Sequence, residues 1–127
     1  MRKRFLIVLV LVLLAWPFWF SESARAASSG SLIVFTTEYC PYCKDFMSNV
    51  APAYPKTELG KRFPMVVVDN FSPPKEWEKR AWEIRFYPTF LVLDKHGRER
   101  GVFRGYRGEE FFWGELEGVI GRMMAGQ

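Results

Sequence analysis

Two apolar patterns alternate along residues 32–123. Leu32-Ile33-Val34-Phe35 and Met65-Val66-Val67-Val68 are unbroken runs rich in β-branched side chains, as expected of strands covered on both faces. Thr89–Leu93 continues the series, and Glu99–Phe103 follows after the turn Asp94-Lys95-His96-Gly97, which predicts a hairpin. Between these runs the spacing becomes helical. Phe46, Met47 and Val50 mark an inward stripe on a helix that starts at Pro41 and is ended by Pro52 and Pro55. A second helix is predicted from a Ser72 cap with early prolines, carrying Trp77, Ala81 and Ile84 inward. The last helix opens at Gly108-Glu109-Glu110, with Phe112, Leu116, Val119 and Met123 on its apolar face. Gly114, Gly118 and Gly121 recur along it at helical spacing and are read as a close-packing face. The order β-α-β-α-β-β-α predicts an α/β domain. Its first crossover joins parallel strands of a mixed four-stranded sheet, with helices on both faces.

A different pattern precedes this domain. Arg2, Lys3 and Arg4 lead into an uncharged apolar stretch, aromatics cluster around Pro17, and Ala24-Arg25-Ala26 follows as a small-x-small site. This is the layout of an export signal over residues 1–26. Phe5–Phe20 falls short of the roughly 20 residues that span a bilayer comfortably, although an uncleaved anchor is the alternative. Either way the domain at residues 27–127 is expected outside the cytoplasm. Residues 1–26 also carry most of the chain's formal charge of +4, with four basic residues against Glu22. The nearly neutral remainder has no nucleic-acid footprint.

That remainder contains two cysteines, Cys40 and Cys43, which is too few for a disulfide framework. Their C-x-x-C falls where a strand passes into a helix. Free N–H groups and the positive end of the helix dipole favour a thiolate at Cys40 there. Cys43, one turn on, lies within bridging distance, so one sulfur can attack a disulfide and the other can resolve the mixed disulfide. Lys44 adds a minor positive charge. Three other uses compete. A structural disulfide in so short a loop gives little chain-entropy stabilisation. A zinc site wants four ligands, and beyond the two cysteines there is only the distant His96. Two thiolates can hold Cu(I).

Ile33–Cys43 and Ile84-Arg85-Phe86-Tyr87-Pro88-Thr89 through Gly105 resemble the two halves of thioredoxin, while Cys40-Pro41-Tyr42-Cys43 is the glutaredoxin tetrad. Residues 32–120 more closely resemble the small exported SoxS-type thioredoxin-like proteins of bacterial sulfur oxidation. The resemblance rests on Ala51–Thr57, Tyr87-Pro88-Thr89-Phe90 and Gly105-Tyr106 through Phe111-Phe112-Trp113-Gly114. It implies a thioredoxin-like fold, Cys40 as nucleophile, Cys43 as resolving thiol and Pro88 as a cis-proline packed against the dithiol. The backbone before that proline would pair with an extended substrate segment. Two departures stand out. Val34 occupies the position of thioredoxin's buried aspartate, and Leu93–Gly97 replaces the glycine-rich segment with which glutaredoxins hold glutathione.

Tyr42 cannot stabilise a thiolate as a histidine between the cysteines would, which favours a reductant or exchange catalyst over a dithiol oxidase. The expectation is therefore a periplasmic thiol–disulfide oxidoreductase acting on disulfides of exported client proteins. A membrane thiol-electron transporter would recharge it. It would work as a monomer, with no metal and no cofactor beyond the Cys40–Cys43 pair. Tyr39, Pro41, Tyr42 and Tyr87 are the expected client contacts, with Phe86 beside them. Trp77, Trp82 and Trp113 are read as core or its rim, and Glu38 and Arg85 as solvated charges.

Overall fold

The computed structural model describes residues 27–126, so the predicted export signal lies outside the described residues. Its elements are β1 (Gly30–Thr36), α1 (Pro41–Asn49), α2 (Glu58–Arg62), β2 (Met65–Asp69), α3 (Glu78–Glu83), β3 (Thr89–Asp94), β4 (Glu99–Arg104) and α4 (Glu109–Ala125). Single 3₁₀ turns at Tyr54–Lys56 and Lys75–Trp77 precede α2 and α3. The four strands form one sheet in the order β2-β1-β3-β4. β1 runs parallel to β2 and antiparallel to β3, and β3 pairs antiparallel with β4. This is the predicted mixed sheet, with its crossover and hairpin.

Alternation along β1 separates two apolar layers. Leu32 and Val34 face α1, α2 and α4 in a cluster with Phe46, Val50, Tyr54, Phe90, Phe112 and Leu116. Ile33 and Phe35 face the other way, onto Ala81 and Ile84 around α3. Phe112 is wholly buried and packs its ring against Phe46, Tyr54, Phe90 and Phe103. Trp77 meets Phe35 edge-on and Trp113 stacks on Tyr54, so both are core-rim residues, whereas Trp82 is exposed. Among the described residues no helix is long and apolar enough to cross a membrane.

Several sequence expectations are corrected. β2 is an edge strand, so Val66 and Val67 are exposed although their run reads as fully buried. Met47 is exposed, leaving Cys43, Phe46 and Val50 to dock α1 and its end. Ser72 does not cap a helix. The residue before a proline is held extended, and Pro74 remains in the polyproline region, so helical structure begins only after it. Positions 114, 118 and 121 are not a close-packing face. A Cβ at Gly114 or Gly121 would meet nothing within 4 Å, and one at Gly118 would meet only an arginine tip.

The segment 54–62 holds structure that the two prolines hid. Thr57 caps α2 through its hydroxyl, which accepts from the Gly60 N–H at 2.9 Å. Gly60 passes so close to the Tyr54 carbonyl that a Cβ there would sit 1.8 Å from the oxygen. The buried Tyr54 hydroxyl donates to the Phe63 carbonyl at 2.8 Å, which ties both ends of the segment together.

Candidate functional site: the dithiol at the β1–α1 junction

β1 ends at Thr36 and the chain turns through Glu38 and Tyr39 into Cys40, the N-cap of α1. Cys40 has extended backbone (φ −89°, ψ 113°), and its carbonyl accepts the first helical bond from the Lys44 N–H. Pro41 fits the first helical position because no bond is lost there. The cap donor comes from within the pair itself: the Cys43 N–H donates to Cys40 Sγ at 3.2 Å. Both cysteines are free thiols. Cys40 is half-buried, and Cys43, one turn further on, is buried between helix and sheet.

The two sulfurs sit in unlike surroundings. Burial, foremost, pushes the Cys43 thiol from 9.0 up to about 12. The neighbouring Cys40, by hydrogen bond and by charge, reinforces the shift, and a backbone hydrogen bond at Thr37 opposes it. Cys43 is therefore a neutral thiol across the physiological range.

A second segment closes over the pair. The Tyr87–Pro88 bond is cis and Pro88 is buried. The Tyr87 carbonyl accepts from the Cys40 thiol at 3.5 Å. Thr89 Oγ1 donates to the Phe86 carbonyl, and the Gly105 N–H donates to the Pro88 carbonyl at 2.8 Å. The proline loop is thus tied both to itself and to the end of β4. The Tyr87 ring passes to the other side of the loop, where its hydroxyl accepts from Asn70 Nδ2 at 2.7 Å.

Cys40, Cys43, Tyr87 and Pro88 are thus brought together. Tyr42 and the exposed Phe86 line a groove of about 260 Å³ beside them, which Tyr87 and Arg104–Arg107 complete. Pro41 and Tyr39 are exposed next to Cys40, Tyr39 on the preceding loop. A larger groove of about 560 Å³ lies across Tyr87, between Phe71, Trp82 and Arg85. Glu38 is exposed, and Arg85 turns its guanidinium onto the Trp82 and Ile84 carbonyls at the end of α3. His96 stands in the β3–β4 turn, at the opposite end of the sheet from Cys40. Among the described residues no cluster of three or more His, Cys, Asp or Glu side chains could hold a metal ion. Sequence reasoning missed Asn70 as the partner of Tyr87 and Arg104–Arg107 as a groove wall. Gly105-Tyr106 contributed to the family resemblance, but no local pattern gave the segment a task.

A strand-to-helix dithiol under a cis-proline, on a sheet ordered β2-β1-β3-β4, agrees with what the chain is similar to. The model of the thioredoxin-like domain matches residues 21–120. The chain belongs to the thioredoxin-like family. The periplasmic thioredoxin SoxS from Paracoccus pantotrophus, in its reduced form, is 30% identical with a TM-score of 0.65, over 74% of this chain and 98% of that one. Thioredoxin f2 of Chlamydomonas reinhardtii (16% identical, TM-score 0.56, covering 77% and 82%) shares the fold. The oxidoreductase DsbH (13%, TM-score 0.52, 72% of each chain) shares it too. No curated protein matches the chain.

Proposed function

We propose that this protein is an exported thiol–disulfide oxidoreductase that reduces or exchanges disulfides of other exported proteins. One observation carries the reading: Cys40 Sγ accepts from the Cys43 N–H at 3.2 Å while facing the carbonyl beside the cis-proline at 3.5 Å. A half-buried sulfur with a backbone donor has room for an incoming disulfide, and a second, buried thiol lies one turn behind it.

The cycle is a pair of exchanges. Cys40, as thiolate, attacks one sulfur of a client disulfide, and the client S–S bond breaks as the Cys40–client bond forms. The other client sulfur leaves in that step as a thiolate; Cys43 then gives up its proton and attacks Cys40 Sγ, releasing the client sulfur that Cys40 had bonded, also as a thiolate. The client gains two electrons and the protein retains a Cys40–Cys43 disulfide. A dithiol donor, proposed to be a membrane thiol-electron transporter, reverses the change. The similarity to a periplasmic thioredoxin supports a periplasmic setting for this cycle. Tyr39, Pro41 and Tyr42 supply exposed contact area around the entering sulfur, and the Tyr87 backbone lies alongside it.

Trapping tests the reading. A Cys43→Ser variant can complete the first exchange but not the second, so it should accumulate clients as mixed disulfides on Cys40. A Cys40→Ser variant should accumulate none. Absence of any trapped client, together with failure of the reduced wild type to cleave a peptide disulfide, would refute the proposal. The reduction potential fixes the direction: a value of about −120 mV, at the oxidising end for such folds, would make the protein a dithiol oxidase.

A further inference from the structure

The wall of the groove beside Cys40 carries one sign of charge. Among the described residues, Arg104, at the end of β4, and Arg107, three residues on, are the only charged ones that line it, beside Tyr42, Phe86, Tyr87 and Tyr106. Arginines at the opposite end of the sheet are neutralised by carboxylates. Arg100, four residues earlier on β4, pairs with Asp94 at 3.2 Å, and Arg80 pairs with both Glu83 and Glu99. Among the described residues no carboxylate lies within 4.0 Å of Arg104 or Arg107, although Glu109 and Glu110 follow on the first turn of α4. Arg107 is instead held over the Phe111 ring, 4.3 Å from its centroid. That contact orients a guanidinium without using up its hydrogen-bond donors. The Gly105 N–H bond to the Pro88 carbonyl fixes this wall relative to the proline beside Cys40.

We propose that the groove selects client segments with carboxylate side chains next to the disulfide cysteine, paired with Arg104 and Arg107. This rests on the reading of Cys40 as the attacking sulfur and adds the chemistry of what approaches it. A segment laid along Tyr42 and Phe86 presents alternate side chains to the two arginines, whose guanidinium forks match carboxylate geometry. A basic segment would meet the same two charges with no acid between. The discrimination comes from charge set around an aromatic floor.

The test uses three symmetric peptide disulfides that differ only in the residues flanking cysteine: aspartate, serine or lysine. Each is mixed with the reduced full-length protein in single turnover. Cleavage of the aspartate peptide should be about tenfold faster than that of the lysine peptide, a difference of about 1.4 kcal/mol. In 1 M salt the Debye length falls to about 3 Å, and the gap should shrink. Arg104→Glu with Arg107→Glu should reverse the order, and Arg104→Gln with Arg107→Gln should abolish it. Lys95→Glu, at the far end of the sheet, should leave it unchanged. Equal cleavage of all three peptides, or a preference that survives the double Glu variant, overturns this inference and leaves the oxidoreductase reading intact. Failure to cleave any of them overturns both. Glutathione disulfide reacting as fast as the aspartate peptide would overturn a protein segment as the groove's occupant.

Discussion

Burial of Cys43 should make the second exchange slow and steeply pH-dependent. With the thiol pushed up to about 12, the thiolate fraction at pH 7 is about 10⁻⁵, against about 10⁻² for a thiol at 9.0. Intrinsic nucleophilicity rises with pKa at a Brønsted slope of about 0.45, which returns a factor of about 20 over the interval from 9.0 to about 12. The net handicap is about 50-fold relative to an ordinary thiol in the same place. Joining Cys40 to a client removes its charge and its hydrogen bond from Cys43, but desolvation is the leading cause and a docked client deepens it. The assay is rapid mixing of reduced protein with a peptide disulfide, acid quenching, and separation of the mixed disulfide by mass. Its decay should accelerate about tenfold per pH unit from 7 to 9 and stay undetectable in Cys43→Ala. A decay rate that levels off as pH reaches 9 would show that Cys43 is an ordinary thiol, and one that is flat over the whole range would show it ionised throughout; either result would refute the reasoning.

Four further outcomes follow from the packing. Because Cys43 titrates higher folded than unfolded, the reduced protein keeps that stabilisation below pH 9 and loses it as pH climbs towards 12. Chemical denaturation across that window should show a larger loss in the reduced than in the oxidised form, because the buried Tyr54 hydroxyl, also pushed up by desolvation, adds the same loss to both. Phe112→Ala empties a wholly buried site against five rings, Trp113 included, and should cost about 3–5 kcal/mol, a fall of at least about 12 °C in Tm. Tyr54→Phe strands the buried Phe63 carbonyl and should cost about 1–3 kcal/mol, with little effect on peptide cleavage. Gly114→Ala should stabilise by up to about 1 kcal/mol, whereas Gly60→Ala should destabilise, because its Cβ would collide with the Tyr54 carbonyl. Thermal melts of the pair read the opposite signs directly.

The sheet and its helices were legible because their signals are local and strong. Four apolar runs, a turn at Asp94–Gly97 and three helical stripes leave few ways to assemble the chain. What the sequence misled on depends on partners far along the chain. The run Met65–Val68 resembles the runs of β1 and β3, yet it forms the sheet's edge, because position within a sheet is decided by which strands come to pair and not by a strand's own residues. The helix at Glu58–Arg62 spans barely more than one turn, too little for a periodic stripe, and is fixed by the Thr57 cap and by the fit of Gly60 against Tyr54.

The dithiol was readable for a related reason. Cys40 and Cys43 are three residues apart, and a helix N-cap fixes their relation through a bond within the motif itself. The cis geometry of Tyr87–Pro88 was expected only through family resemblance, since any X-Pro bond alone is more often trans. Everything else around the sulfurs is assembled by the fold. Asn70 follows β2 and Tyr87 precedes β3, two strands held apart by β1, and no local pattern links an asparagine to a tyrosine 17 residues later. No local pattern marks Arg104 and Arg107 either, and they join the site only through the Gly105 bond to the Pro88 carbonyl. Short-range chemistry identifies which atoms can react. On the proposed reading, the segment that meets them is selected by the charges and rings that the antiparallel β3–β4 pair carries back to the same end of the sheet.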